Sequence, residues 1–326
     1  MTKKKEKMVD ILKETTDKMG EDYGRMEDER LAKVTQGFSK MTKEKSFQLS
    51  YTRIRRFTTC PHAAHLWYKK GIRPIKINAR MVLGKAIHDT LDYYYNPDLK
   101  TTVKEAIRYF IATWNGACAE ESIDFGTTRI TRAMVKENPK LEYGSDKPLI
   151  SKDWEKEGLG MLTAYFKSYY EEDWEVKETE KEFLIPKLNL AGRIDLIASD
   201  EEGILYLIDH KTLARQAKVE NFREDNQLLV YYLGAKEMGY KIDKMMLNIL
   251  YRKKVPTVER IVFDPPSERA IKEFKEDSKE IEEDLERDRK YKRKGFHCQS
   301  CDLKDYCYKN EGYKSKFYTE KWEEKK

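Results

Sequence analysis

The residues best suited to chemistry sit in two short apolar runs, Gly192-Arg193-Ile194-Asp195-Leu196-Ile197 and Leu205-Tyr206-Leu207-Ile208-Asp209-His210-Lys211. Both read as strands, and each carries an acid among apolar neighbours. A carboxylate buried without a partner costs on the order of several kcal/mol unless a cation or a proton compensates it. Hard divalent ions do so through oxygen ligands. Side chains alternate along a strand, so Asp209 and Lys211 point to one face and His210 to the other. An acid and an ammonium aimed at one place suit metal-assisted phosphodiester hydrolysis. In that chemistry the ion polarises a phosphoryl oxygen and activates water, and the lysine positions that water or stabilises the developing charge. Taken alone, an Asp-x-Lys is more often a structural ion pair at a strand end.

Two further pairs change that balance. Gly84 and His88 lie one helical turn apart upstream, and Gln227 and Tyr231 lie one turn apart downstream. A lone histidine on an apolar face is usually a satisfied core residue, and Gln227 with Tyr231 alone would read as surface. Here all four signals occur in one order. In that order the chain resembles the PD-(D/E)xK nucleases, specifically their RecB-like exonuclease branch, over about Ser50 to Tyr308. The resemblance implies that His88, Asp195 and Asp209 hold Mg2+ or Mn2+, with the backbone carbonyl of His210 as a further ligand. It implies that Lys211 is the catalytic lysine and that Gln227 and Tyr231 contact DNA or orient the site. Glu182 resembles an acidic residue often found in this branch, with Glu178 and Glu180 as close competitors. The implied reaction is hydrolysis of DNA, exonucleolytic on single-stranded or end-bearing substrates, as in recombination, repair, phage replication or CRISPR adaptation. The rival is a DNA-binding recombination or repair subunit that keeps the fold without cutting; a third reading is a zinc-stabilised RNA-binding module.

Cys298-Gln299-Ser300-Cys301, with Cys307 five residues on, offers three thiolates to one soft centre. Cys60, in Thr59-Cys60-Pro61, is the natural fourth, whereas Cys118 lies in a helical pattern and reads as a small buried hydrophobe. Spacing alone permits zinc as readily as iron-sulfur. The resemblance extends to AddB-type and CRISPR-associated RecB-like nucleases, and it implies a 4Fe-4S cluster on Cys60, Cys298, Cys301 and Cys307. Closing so long a loop would remove several kcal/mol of chain entropy from the unfolded state, on the order given by its logarithmic length dependence.

The elements needed to position these residues are legible as patterns. Residues 1–46 alternate charges with few apolar anchors and read as an arm, helical or disordered. Residues 47–178 form a helical region carrying Cys60 and His88, with helices expected at about 79–95, 102–119 and 153–170. Residues 179–266 are the nuclease core. Three strands begin near Lys181, the last two forming a hairpin; a helix over about 219–238 ends at Gly239, and strands follow near 245–251 and 259–263. Residues 267–326 contain a charged helix capped by Ser267, with a stripe of Ile271, Phe274, Ile281 and Leu285, and then the cysteine segment. The fold class is therefore α/β: a mixed central sheet flanked by helices, a restriction-endonuclease-like core with a C-terminal iron-sulfur staple.

Bulk properties agree. A net charge of +6 suits a polyanion without requiring one. No apolar run is long enough for a membrane span. The lysine-rich start is followed by Glu6, Asp10 and Glu14 instead of an apolar signal segment, so the expected location is the cytoplasm. Arg53, Arg55 and Arg56, interleaved with Tyr51, Phe57, Trp67 and Tyr68, are candidate single-strand contacts together with Tyr231. Lys290, Lys292, Arg293 and Lys294 form a second basic run, which a helix dipole would explain without a ligand.

Overall fold

The computed structural model of the chain describes residues 48–74, 79–119, 123–124, 129–130, 152–169, 172–216, 218–223, 225–309 and 318–320. The arm expected over 1–46 lies outside the described residues. Ser50 Oγ accepts from the Arg53 amide at 3.2 Å and caps α1 (Tyr51–Thr59). Cys60 ends that helix in extended backbone, and α2 (Pro61–Ala64) opens on proline, whose missing N–H costs nothing in a first turn. A π-helical turn over His65–Lys69 leads to β1 (Ile72–Pro74). The three expected helices follow as α3 (Ala79–Tyr95), α4 (Val103–Ala119) and α5 (Lys152–Tyr169), with the two-residue strands β2 (Ile123–Asp124) and β3 (Arg129–Ile130) between the last two. Cys118 falls in α4, but its side chain lies outside what is described.

The central sheet is mixed. Its strands are β4 (Glu175–Ile185), β5 (Leu190–Ser199), β6 (Leu205–Leu213), β7 (Lys244–Tyr251) and β8 (Thr257–Phe263), adjacent in that order. All neighbours are antiparallel except β6 and β7. A parallel pair needs a crossover, supplied here by α6 (Val219–Arg223) and α7 (Gln227–Glu237). The chain closes with α8 (Glu268–Glu286), α9 (Lys304–Tyr308) and β9 (Tyr318–Glu320), the last pairing with β1. No helix among the described residues is long and apolar enough to cross a membrane.

Side chains alternating off the sheet feed two cores. Leu196, Ala198, Ile208, Met246 and Leu250 pack with α3, α4 and α5, while Ile197, Leu207, Leu247 and Ile249 pack with α1, α7 and α8. Ile87, Leu91, Phe110 and Leu162 on the first side are fully buried; each such side chain stabilises the fold by about 1.5–3 kcal/mol relative to exposure. The helical region and the strand region therefore contribute to both cores.

Two elements differ from the sequence reading. Strand β4 starts at Glu175, ahead of the expected Lys181, because an edge strand pairs through its backbone and can turn charged residues to water. The single helix expected over 219–238 is two, because Asp225 Oδ1 accepts from the Gln227 amide at 3.0 Å and starts a new helix there. Gly239, at φ +91, ends α7 as the pattern predicts.

Candidate active site

The pairing of β5 with β6 stops at Leu196–Ile208, one residue short of Asp195 and Asp209. The strands diverge there, and both acids sit in the fork. Asp195 Oδ2 accepts from the His210 amide at 2.9 Å, a bond that replaces the lost ladder contact. His88 reaches the same oxygen from α3, with Nδ1 at 3.3 Å. The approach depends on Gly84, one turn earlier, where a Cβ would lie 3.0 Å from Thr212 Oγ1. On β6, Lys211 Nζ lies 2.8 Å from Asp209 Oδ1 and 2.6 Å from Oδ2. Only the first contact has hydrogen-bond geometry, so the buried Oδ2 lacks a directed donor. His210 turns to the other side of the sheet, as alternation predicts, and packs between the rings of Tyr95 and Tyr165.

Helix α7 supplies the other wall. Gln227 Nε2 donates to Tyr231 Oη at 2.8 Å and lies 3.5 Å from Asp209 Oδ1. Asp225, which the sequence reading missed, holds this end of α7: it accepts from the Gln227 amide and, through Oδ2, from Tyr51 Oη at 2.6 Å. All six residues singled out around Asp209 thus converge: His88, Asp195, Asp209, Lys211, Gln227 and Tyr231.

A further acid joins them. Glu180 and Asp195 occupy the position between the cross-strand pairs Thr179–Leu196 and Lys181–Ile194. Glu180 has φ +43, a left-handed conformation that costs a non-glycine residue on the order of 1 kcal/mol. Ligand atoms of His88, Glu180 and Asp195 lie within 4.8 Å of one another. Glu182, favoured by the sequence reading, is exposed and outside this group. Strict alternation places both glutamates on one face, so only the distorted backbone separates them. Arg193 Nε pairs with Glu180 Oε2 at 2.7 Å.

The electrostatics suit a cation site. Burial, reinforced by Asp195, pushes Glu180 up to about 7. Burial likewise raises Asp209 to about 6, against the pull of Lys211. At Asp195 burial is outweighed by His88, His210 and Lys211, which hold its carboxyl below the usual range. Burial drives His210 down to about 3, so its ring is neutral. Three carboxylates and an imidazole, with one buried carboxylate oxygen lacking a donor, fit a hard divalent ion.

The four cysteines expected to act together, Cys60, Cys298, Cys301 and Cys307, line one small pocket, and none is in a disulfide. Burial raises the Cys301 thiol to about 11. A bound metal would offset that cost, because a coordinating thiol is deprotonated outright. The donor set thus fits a soft metal centre. Around it, Arg56 pairs bidentately with Asp302, and Trp67 lies between Arg56 and Arg73, at 3.8 and 3.9 Å from ring centroid to guanidinium carbon. Arg53 also turns inward, donating to the Gln48 carbonyl and lying over Tyr68 at 4.4 Å. Of the three arginines, Arg55 is the exposed one, with Nη1 3.2 Å from Tyr51 Oη.

A candidate exonuclease from Eubacterium rectale, of solved structure, is 12% identical, covers 81% of this chain and 89% of its own, and superposes with a TM-score of 0.42. The protein SSO0001 is also 12% identical, covers 87% and 97%, and superposes with a TM-score of 0.34. No curated protein matches the chain. The family model described as "PD-(D/E)XK nuclease superfamily" matches residues 48–308, most of the chain. The chain therefore belongs to the PD-(D/E)XK nuclease superfamily.

Proposed function

We propose that this protein is a metal-dependent deoxyribonuclease of the RecB-like branch, acting exonucleolytically on single-stranded or end-bearing DNA. The observation that carries the reading is the convergence of His88, Asp195, Asp209 and Lys211 on the fork between β5 and β6. His88, Glu180, Asp195, Asp209 and the His210 carbonyl would hold Mg2+ or Mn2+. When bound, such an ion supplies Lewis acidity toward a phosphoryl oxygen and lowers the pKa of water. Lys211, on the same face as Asp209, places its ammonium where it can orient the attacking water or stabilise charge on the phosphate. Gln227 and Tyr231 fix the α7 side of that space and meet the scissile strand. Asp195, held by the His210 amide and His88, keeps its charge in a site where burial opposes it.

Cys60, Cys298, Cys301 and Cys307 would hold a 4Fe-4S cluster, with zinc as the alternative ion, in a structural role. Arg55 and Tyr231 would contact the DNA, while Arg53 and Arg56 support that surface from within. Recombination, repair, phage replication and CRISPR adaptation all present such substrates in the cytoplasm.

The test is digestion of end-labelled single strands by anaerobically purified protein with Mg2+ or Mn2+, alongside Asp209→Ala and Lys211→Ala. Loss of cutting in both variants, with binding kept, supports the reading. Equal binding and no cleavage by any of the three supports the non-cutting subunit. Broad brown absorption supports iron-sulfur over zinc.

A further inference from the structure

The basic run after α8 lies where a helix dipole cannot account for it. Helix α8 stops at Glu286, and a dipole acts only within the last turn, so Lys290, Lys292, Arg293 and Lys294 lie beyond it. Instead they occupy a segment without regular secondary structure, fixed against the N-terminal helices. The His62 amide donates to the Tyr291 carbonyl at 3.2 Å, Arg293 donates to the Thr58 carbonyl, and His297 Nε2 lies 2.8 Å from the Arg293 carbonyl. The segment is held by its backbone and by the Arg293 side chain, while Lys290, Lys292 and Lys294 are exposed. Lys292, Arg293, Lys294, Lys304 and Tyr308 rim the pocket of the four cysteines.

Thiolates would attract such cations without any further ligand, and Cys298 is a hydrogen-bond partner of the Tyr308 hydroxyl, but the cysteines do not explain why the Tyr291 and Phe296 rings are left in water. Phe296 is 89% exposed, Tyr308 57% and Tyr291 52%, so of the seven large hydrophobic side chains left exposed among the described residues two stand on this segment and a third on α9, at the same pocket. Exposed rings between lysines, on a fixed backbone, are what base stacking with phosphate neutralisation requires. Rigid rings lose little conformational entropy on binding.

We propose that Tyr291, Lys292, Lys294, Phe296, Lys304 and Tyr308 form a stacking platform for single-stranded DNA, beside the cysteine pocket and apart from the catalytic fork. The proposal rests on the nuclease reading for the strand's destination. Helix α1 connects the two places: Tyr51 is bonded to Asp225 next to Gln227, and nine residues later the chain reaches Cys60. That helix spans about 13 Å, which a stacked strand covers in about four nucleotides at about 3.4 Å each. Arg55 lies exposed along this route. A stacked strand shorter than about four nucleotides does not span this route.

The test compares the full-length protein with Phe296→Ala/Tyr308→Ala, Lys292→Glu/Lys294→Glu and Phe296→Trp. Anisotropy with labelled oligothymidylate of about twenty nucleotides, in Ca2+ to suppress cutting, reads binding. Cleavage in Mg2+ of that strand and of a three-nucleotide strand reads KM and kcat. Both double variants should bind the long strand about tenfold or more weaker, raise its KM at unchanged kcat, and cut the short strand like wild type; Phe296→Trp should bind normally. Wild-type binding and KM in both double variants would overturn the platform, as would an equal loss on the short strand. Equal weakening on a blunt duplex would reduce it to a general polyanion patch and also overturn it. A wild type that binds through this surface but cuts nothing removes the catalytic reading and leaves the platform standing.

Discussion

The guanidinium of Arg56 and the carboxylate of Asp302 meet through two hydrogen bonds, each 3.0 Å long, across 246 residues of sequence. This fork ties α1 to the cysteine segment, and Trp67 covers it. The join between the N-terminal helices and the C-terminal segment thus has a protein component of its own. Arg56→Ala should cost about 1–3 kcal/mol of stability, read by chemical denaturation, and Arg56→Lys should recover only part of it because an ammonium cannot make the paired bonds. An unchanged transition in Arg56→Ala would show that this pair is incidental.

Glu180 and Glu182 separate the two placements of the extra acid. Glu180→Gln should weaken Mn2+ binding and lower activity at limiting metal by about 10–100-fold, while Glu182→Gln should leave both near wild type. Calorimetric titration with Mn2+ distinguishes them, and the reverse ranking would restore Glu182.

Gln227 orders the α7 wall through Tyr231 and Asp209. Gln227→Ala should lower kcat by about 10–100-fold with little change in thermal stability. Single-turnover digestion checks this, and a pure KM effect would instead make Gln227 a DNA contact only.

Burial raises Glu180 to about 7 and Asp209 to about 6. Both values exceed those of an unfolded chain, so the metal-free fold holds protons that the unfolded chain has released. Its stability from these groups is therefore present at low pH and lost as pH rises through about 4 to 7. A divalent ion takes the deprotonated forms, so its affinity should rise over that span. The gain in melting temperature at fixed Mn2+ should be larger at pH 8 than at pH 6. A gain independent of pH would mean that these carboxylates do not bind the ion.

Phe183 lies between Gly192 of β5 and Gly234 of α7, where a Cβ at either glycine would come within 2.5 Å of its ring. This is how α7 comes close enough to bring Gln227 to Asp209. Gly234→Ala should cost about 1–3 kcal/mol by overpacking, and adding Phe183→Leu should recover part of it. Thermal unfolding of the single and double variants tests the coupling.

The chemistry-bearing residues were legible because their relations are local. One turn of helix joins Gly84 to His88 and Gln227 to Tyr231, and one strand period joins Asp209 to Lys211, so spacing alone predicted shared faces. Ser267 and Gly239 announced helix ends for the same reason, through side-chain capping and a left-handed backbone. Tertiary structure decided what counting cannot see. A left-handed residue in β4 turned Glu180 into the site and left Glu182 in water. The divergence of β5 and β6 let His88 and Gln227 approach from opposite faces of the sheet. Asp302, 246 residues away, turned Arg56 from a candidate DNA contact into a structural cation, because the partner that neutralises a charge is chosen by the fold and not by its neighbours in sequence.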